Sequence, residues 1–389
     1  MIYFDHSAST PPYAEVIETV AEVMKLHYGN PSSLHRAGVE AEKLIERARA
    51  VIGKALQVKP GELIFTSGAT ESNNLAIKGA AMQYAGRGKH FVTTQVEHAS
   101  VYECFRQLEE QGCKVTYLPV DRNGVVSVDQ VREALTNETV LVSVMHVNNE
   151  VGSVQPIAEI GELLKRYPRV LFHVDGVQSV GKLPLSIREW GIDLFSLSAH
   201  KLRGPKGTGL LYCREGVRLT PLLNGGAQEH GMRAGTQNVP NIVGMAKAIR
   251  ITIESQPETA AHLYKLRDRL IEAIGQMPQL TVNGDAASSL QTAPHIVNVS
   301  FPGMKPEVVL HMLEQRGIIA STQSACSSKT GKPSRVLTAM GAGELCAASG
   351  IRFSMAAEHT EEDIDVLASS LRQVTDELGR IGRKLPHGS

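Results

Sequence analysis

The sequence predicts an α/β fold, a large and mostly parallel sheet domain joined to a smaller α+β domain. Three observations carry this reading. From about residue 14 to 256, helical and extended patterns alternate. The extended runs are short and rich in Val, Leu and Phe, and several lack strict polar–apolar alternation. Such runs suit strands covered by helices on both faces. After about residue 257 the rhythm changes to longer helices separated by single strands. The predicted division assigns 14–256 to the large domain, and 1–13 with 257–389 to the small one.

Taken in order, Val39 to Leu56 reads as an amphipathic helix with Leu44, Ile45, Ala48, Val51, Ile52 and Leu56 on one face. Seven strand-like runs follow, at Leu63–Thr66, Phe91–Gln95, Lys114–Val120, Val140–Val147, Val170–Val174, Leu194–Ser198 and Gly209–Tyr212. In the small domain the pattern predicts a helix over Ala260–Ile274 and a strand over His295–Phe301. A helix over Pro306–Arg316 and a strand over Ile351–Ser354 come next. The last helix opens on a capping-box-like Thr360–Asp363. It repeats Ile364, Leu367, Leu371, Val374, Leu378 and Ile381 at helical spacing. The polar tail Lys384–Ser389 is expected to fray, and the stretch before Pro11 to pack on the small domain.

Composition narrows the function. The chain has 389 residues, 42% hydrophobic, with 40 basic and 40 acidic side chains. A balanced charge gives no electrostatic case for direct nucleic-acid or anionic-membrane binding. No apolar stretch approaches the roughly 20 residues of a spanning helix, and the N-terminus has no basic leader. The five cysteines are dispersed and lack C-x-x-C spacing. The expectation is a cytoplasmic protein with reduced thiols and no metal site.

The chemistry concentrates at strand ends. The run Asp193–Ser198 delivers Lys201 to the glycine-rich turn Gly204–Gly209, and His173–Asp175 delivers Asp175 to a similar place. A lysine and a strand-end carboxylate are what pyridoxal 5′-phosphate (PLP) chemistry requires. The amine forms a Schiff base, and the carboxylate keeps the pyridine nitrogen protonated. A carboxylate about 4 Å from a cation gains roughly 1 kcal/mol in water but about 4 at an effective dielectric near 20. That is roughly three pKa units, enough to hold a pyridinium charged at neutral pH.

Other motifs admit two readings each. Gly68 with Ala69, Thr70 and Glu71 is either an ordinary helix cap or a phosphate-binding helix N-terminus. His98 follows a strand and is either structural or a ring that stacks on a cofactor and shuttles protons. Asn149 and Gln178 are turn residues or polar contacts to a cofactor or substrate. The loop Gly225–Thr236, with one cation and one hydroxyl, is a solvated surface loop or reaches a phosphate, that of a partner subunit included. Arg352 lies in an apolar strand and needs a partner, either an internal carboxylate or the α-carboxylate of a substrate. Cys326 sits among Ser, Thr, Gly, Lys and Pro, which predicts an exposed thiol on a mobile loop and a candidate nucleophile. Cys104, Cys113, Cys213 and Cys346 read as small core residues.

At these residues the chain resembles the cysteine desulfurases of the class V aminotransferase group, fold-type-I PLP enzymes. The likeness runs from Asp5–Ala8 to Ile351–Ser354. It is carried by Ser198–Lys201 with Gly204–Gly207, Val174–Gln178, His146–Glu150 and Arg233–Thr236. The segment Ser324–Cys326 resembles the members with a long cysteine loop. The resemblance implies that Lys201 anchors PLP, Asp175 pairs with its ring nitrogen and Gln178 with O3′. It implies that His98 stacks on the ring, and that Ala69, Thr70, Ser198 and His200 hold the phosphate, with Thr236 arriving from the second subunit of a homodimer. Asn149 also contacts the cofactor and, with Arg352, the substrate carboxylate. Cys326 takes sulfur from L-cysteine as a persulfide, leaving alanine. The acceptor protein is then an iron–sulfur scaffold or a tRNA- or cofactor-thiolation partner. Ala199, Leu202 and Arg203 depart from the usual residues around the lysine, and the chain lacks the longer C-terminal tail with which some members dock a scaffold. The competing expectations are a selenocysteine lyase or an aminotransferase of the same fold, and a non-catalytic sulfur-relay subunit.

Overall fold

The chain opens with a two-residue strand, β1 (Ile2–Tyr3), and two helices, α1 (Ala14–Leu26) and α2 (Arg36–Leu56). This is a computed structural model that describes residues 1–284, 292–322 and 332–384. Helix α2 begins three residues before the predicted start because His35 accepts a hydrogen bond from Gly38 N and caps it. Its buried face carries Ala41, Ile45, Ala48, Ile52 and Leu56, and Val51 stays exposed. Buried Arg49 joins that face instead, matched by an internal carboxylate described below. Apolar periodicity cannot register an ion pair, which is why the predicted face was rotated.

Each predicted strand run yields a strand of one sheet. These are β2 (Leu63–Thr66), β3 (His90–Thr94), β4 (Lys114–Leu118), β5 (Thr139–Ser143), β6 (Leu171–Asp175), β7 (Leu194–Ser198) and β8 (Gly209–Cys213). Their order is β2-β8-β7-β6-β5-β3-β4, with only β8 antiparallel to its neighbours among these described strands. Helices α3 (Ala69–Gln83), α4 (Ala99–Glu110), α5 (Val128–Ala134), α6 (Ile157–Leu164) and α7 (Val239–Glu254) accompany the sheet. Phe172, Val174, Phe195, Leu197 and Leu210 face one apolar cluster; Leu171, Leu194 and Leu211 face another. Burial on both faces explains the non-alternating sequence runs. Strand β5 ends four residues earlier than expected, and the chain leaves the sheet to turn back through the Val147–Val154 bridge.

Helix α8 (Gln256–Gly275) leads to β9 (Thr281–Asn283) and β10 (Ile296–Ser300), then α9 (Pro306–Glu314) and β11 (Ile318–Ile319). Short helices α10 (Arg335–Ala339) and α11 (Glu344–Ala347) precede β12 (Gly350–Ser354) and α12 (Glu361–Lys384). Strands β12, β10 and β9 form an antiparallel sheet, and β1 pairs in parallel with β11. Phe4 thereby joins a separate apolar cluster with Leu263, Leu270, Val299, Phe353 and Leu371. Thr360 and Asp363 exchange hydrogen bonds at the start of α12, the predicted capping box. Residues 385–389 of the polar tail lie outside the described residues. No helix among the described residues is long and apolar enough to cross a membrane.

Candidate active site

The carboxyl ends of β3, β5, β6 and β7 open on a cavity of about 500 Å³, the usual ligand position in an open α/β sheet. Each strand end contributes a side chain: His98 after β3, Asn149 after β5, Asp175 from β6 and Lys201 after β7. The first turn of α3 supplies Ala69 and Thr70, and Ser198, His200, Gln178 and Arg352 also line this cavity.

Two backbone approaches make the cavity. A Cβ on Gly209 would lie 2.5 Å from Gly68 Cα, so β8 can run against the turn before α3 only without a side chain there. A Cβ on Gly176 would lie 1.8 Å from the ring of Phe195, so the residue after Asp175 is under the same constraint.

Asp175 is 4% exposed. It accepts hydrogen bonds from Asn73 Nδ2 (2.8 Å) and from Val177 N (3.0 Å). The other Asn73 N–H donates to Ser100 Oγ at 2.9 Å, and Ser100 Oγ lies 2.9 Å from His98 Nδ1. Ser100 N also donates to that nitrogen at 3.2 Å. Nδ1 is thus an acceptor, and the ring proton of neutral His98 resides on Nε2. Burial lowers the His98 pKa below its ordinary value against the pull of Asp175, with Lys201, Arg335 and Arg352 adding to the depression. Burial and the neighbouring Lys201 and Lys206 likewise bring His200 down to about 4.

Lys201 Nζ donates to the carbonyls of Ser7 and Ala8 (2.7 Å to Ala8). Gln178 Nε2 donates to the same Ser7 carbonyl at 3.0 Å, and Gln178 Oε1 lies 3.3 Å from His295 Nε2. Arg352 is 1% exposed; it donates to Asp5 Oδ1 at 2.9 Å and to the Asn149 carbonyl at 2.7 Å. The internal salt bridge of the sequence reading therefore exists, and it fixes a guanidinium that also lines the cavity.

The comparisons with known proteins agree with this geometry. The aminotransferase class-V family model matches residues 2–367. The chain is 42% identical to the cysteine desulfurase IscS of Dictyoglomus turgidum over 381 residues, 98% of this chain and 96% of that one. A solved NifS-like protein superposes with a TM-score of 0.89 at 38% identity, covering 97% of this chain and 99% of that one. A structure of SspA in complex with cysteine superposes at 0.80 with 36% identity, covering 92% and 100%. The chain belongs to the class-V aminotransferase family.

Members of that family work with PLP, and the residues present fit the group. The cavity brings an amine, a buried carboxylate and a helix N-terminus to one place, and Gly68 leaves the first turn of α3 without a side-chain cap. Thr236 is the exception among the expected cofactor contacts: it is exposed and does not line the cavity of its own chain. Cys326 lies outside the described residues. Cys104 and Cys213 are buried, which pushes their thiols up to about 11 and about 12 and keeps them protonated. Cys113 and Cys346, expected in the core, are only partly buried, one at the turn after α4 and the other on the short helix α11.

Sequence reasoning missed the supports of the site. Asn73, Ser100 and the Ser7–Ser9 segment had no assigned role, yet they hold Asp175, His98 and Lys201. The available signal was Asn73 itself, a buried polar residue on a helix face otherwise made of Ala76, Ile77 and Ala80. Also unassigned was Arg335, which donates to the carbonyls of Gln95 and Glu97 and lies 4.0 Å over the Tyr102 ring, buttressing the turn that ends at His98.

Proposed function

We propose that this chain is a PLP-dependent cysteine desulfurase that converts L-cysteine and the Cys326 thiol into L-alanine and a Cys326 persulfide. The observation that carries the reading is the meeting of Lys201 and Asp175 in one cavity with Arg352 on its wall. PLP, when bound, supplies an electron sink that weakens the bonds around the substrate Cα. Lys201 would anchor the cofactor covalently, Asp175 would keep its pyridine nitrogen charged, and Gln178 would serve its O3′. Ala69, Thr70, Ser198 and His200 form the phosphate end. His98, with its proton on Nε2 and its Nδ1 tied to Ser100, would lie against the cofactor ring and serve the proton transfers. Asn149 and the Asp5-oriented Arg352 hold the substrate carboxylate.

Cys326 removes the sulfur atom. Its thiolate bonds to the substrate sulfur, the substrate Cβ–S bond breaks, and the carbon skeleton leaves as alanine after protonation. Ser321, five positions before Cys326 in the sequence, pairs by backbone hydrogen bonds with Arg352 on the cavity wall. The persulfide then passes to an acceptor protein, for iron–sulfur cluster assembly or for thiolation of tRNA or a cofactor. We assign the protein to the cytoplasm, where reducing conditions keep such a thiol available.

The working unit is a homodimer in which Thr236 completes the phosphate site of the other copy. Exposed apolar side chains on and after α1, Met24, Tyr28 and the 99% exposed Leu34, support an interface beyond the single chain. The test uses Cys326→Ser. The purified variant should keep its yellow cofactor absorbance, and borohydride should still fix the cofactor to Lys201, while sulfide release from L-cysteine disappears. Unchanged turnover would exclude Cys326 as the nucleophile and favour a different PLP reaction.

A further inference from the structure

The loop that carries Thr236 is glycine-rich at Gly225, Gly226, Gly231 and Gly235, a composition that suits a flexible surface segment. The structure instead gives it a buried foundation. Glu229 is 3% exposed, and its carboxylate accepts hydrogen bonds from Arg49 on both oxygens at 3.1 Å and from Phe65 N at 2.9 Å. Arg49 is equally buried, donates to the Leu63 carbonyl and lies 4.5 Å over the Phe65 ring. The ion pair therefore clamps the loop to β2, the strand that leads into the phosphate-end turn before α3.

Glu229 and its neighbour His230 both adopt left-handed backbone, with φ of 48° and 57°. Neither is glycine, so this conformation is strained and is held by its surroundings. The strain has a consequence next to Thr236. Gly235 N donates to Gln228 Oε1 at 3.1 Å, and Gln237 Nε2 donates to Glu229 Oε1 at 3.0 Å. Both residues flanking Thr236 are thus fastened to the Gln228–Glu229 turn. A third fastening, Arg233 to Glu71 at 2.8 Å, ties the loop to the first turn of α3. Between these anchors Thr236 itself remains exposed and outside its own chain's cavity.

An exposed hydroxyl with no task gains nothing from three fastenings and two strained residues. We propose that the buried Arg49–Glu229 pair is the foundation that presents Thr236 to the cofactor phosphate of a second copy of this chain, with Gln228, Glu229 and Gln237 acting as positioning residues. The inference rests on the reading that Thr236 reaches the partner's phosphate. It adds that this contact is preorganised by a hub on β2, which lowers the ordering cost of binding.

The test measures cofactor affinity in the dimer. Gln237→Ala and Gln228→Ala leave the Arg49–Glu229 pair intact and therefore spare the fold. Each should weaken PLP binding by about tenfold, the factor that one lost charge-assisted contact represents. Binding of pyridoxal, which lacks the phosphate, should not change. Combined with Thr236→Val, neither should add a further loss. Mixed dimers fix the direction, using covalent cofactor trapped by borohydride. Gln237→Ala placed on the same chain as Lys201→Ala should weaken the one remaining lysine site, and placed on the opposite chain it should not. Additive losses, equal losses for PLP and pyridoxal, or an effect confined to the substituted chain's own site would overturn the proposal. Unchanged PLP affinity in Thr236→Val would instead remove the trans-phosphate reading beneath it.

Discussion

At the scale of single residues, the site works by fixing proton positions before substrate arrives. Asn73 spends both amide protons on Asp175 and Ser100, and Ser100 in turn leaves His98 Nδ1 as an acceptor. The orientations of the Asp175 carboxylate and the His98 imidazole, to which we assign the ring-nitrogen and proton-transfer roles, are therefore set by one buried amide. Arg352 is fixed in the same way by Asp5 and the Asn149 carbonyl. Lysine cannot reproduce its fork. Arg352→Lys should raise KM for L-cysteine by roughly tenfold or more, the scale of a lost charge-assisted hydrogen bond, with a smaller change in kcat and unaltered PLP absorbance. Steady-state kinetics across substrate concentration check this, and an unchanged KM would remove Arg352 from substrate binding.

At the scale of elements, catalytic geometry follows from where strands stop. Strands β3, β5, β6 and β7 are parallel, so their carboxyl ends meet on one side and the loops that follow converge. Antiparallel β8 returns between β2 and β7 and touches the turn before α3 through Gly209. Gly209→Ala places a methyl group 2.5 Å from Gly68 Cα. Relief would displace either β8, which is paired on both sides, or the turn that leads into α3, so the expected cost is about 1–3 kcal/mol of stability. The N-terminus of α3 should shift with it. Thermal melting together with a PLP absorbance titration reads both effects. Full retention of cofactor affinity would show that the close approach does not shape the phosphate end.

At the scale of the whole molecule, buried imidazoles tie stability to pH. Burial brings His146 to about 4 and His173 to about 3, and His6 and His200 also lie near 4. Unfolding returns each toward 6.5, so between pH 6.5 and 4 the unfolded chain holds more protons than the folded one. Stability then rises with pH in that window and is lost on acidification. Glu97 runs the other way. Burial, reinforced by Asp175, pushes its carboxyl up to about 8 against the hydrogen bond from Met145 N. The folded state therefore keeps a proton that the unfolded state releases above about 4.5, and this one group costs stability as pH rises toward 8. Four groups outweigh one below pH 6.5. Chemical denaturation should show maximal stability near neutrality, with a steep decline toward pH 4.5 and a shallow one toward pH 8. A profile flat from pH 7 to 4.5 would mean that these histidines are not neutral in the fold.

Much of this protein is local information. Strand runs, the capping box at Thr360, and the strand-end placement of Lys201, Asp175 and His98 depend on residues within a few positions of one another, and periodicity and turn chemistry report them. Only the tertiary structure decided the rest. Asn73 meets Asp175 across 102 positions, Lys201 meets Ala8 across 193, and Arg49 meets Glu229 across 180. A buried polar side chain gains its place from a partner of matching hydrogen-bonding capacity, and no local pattern records which partner that is. The sequence determined which groups would do chemistry; the packing of distant segments determined which way their protons point.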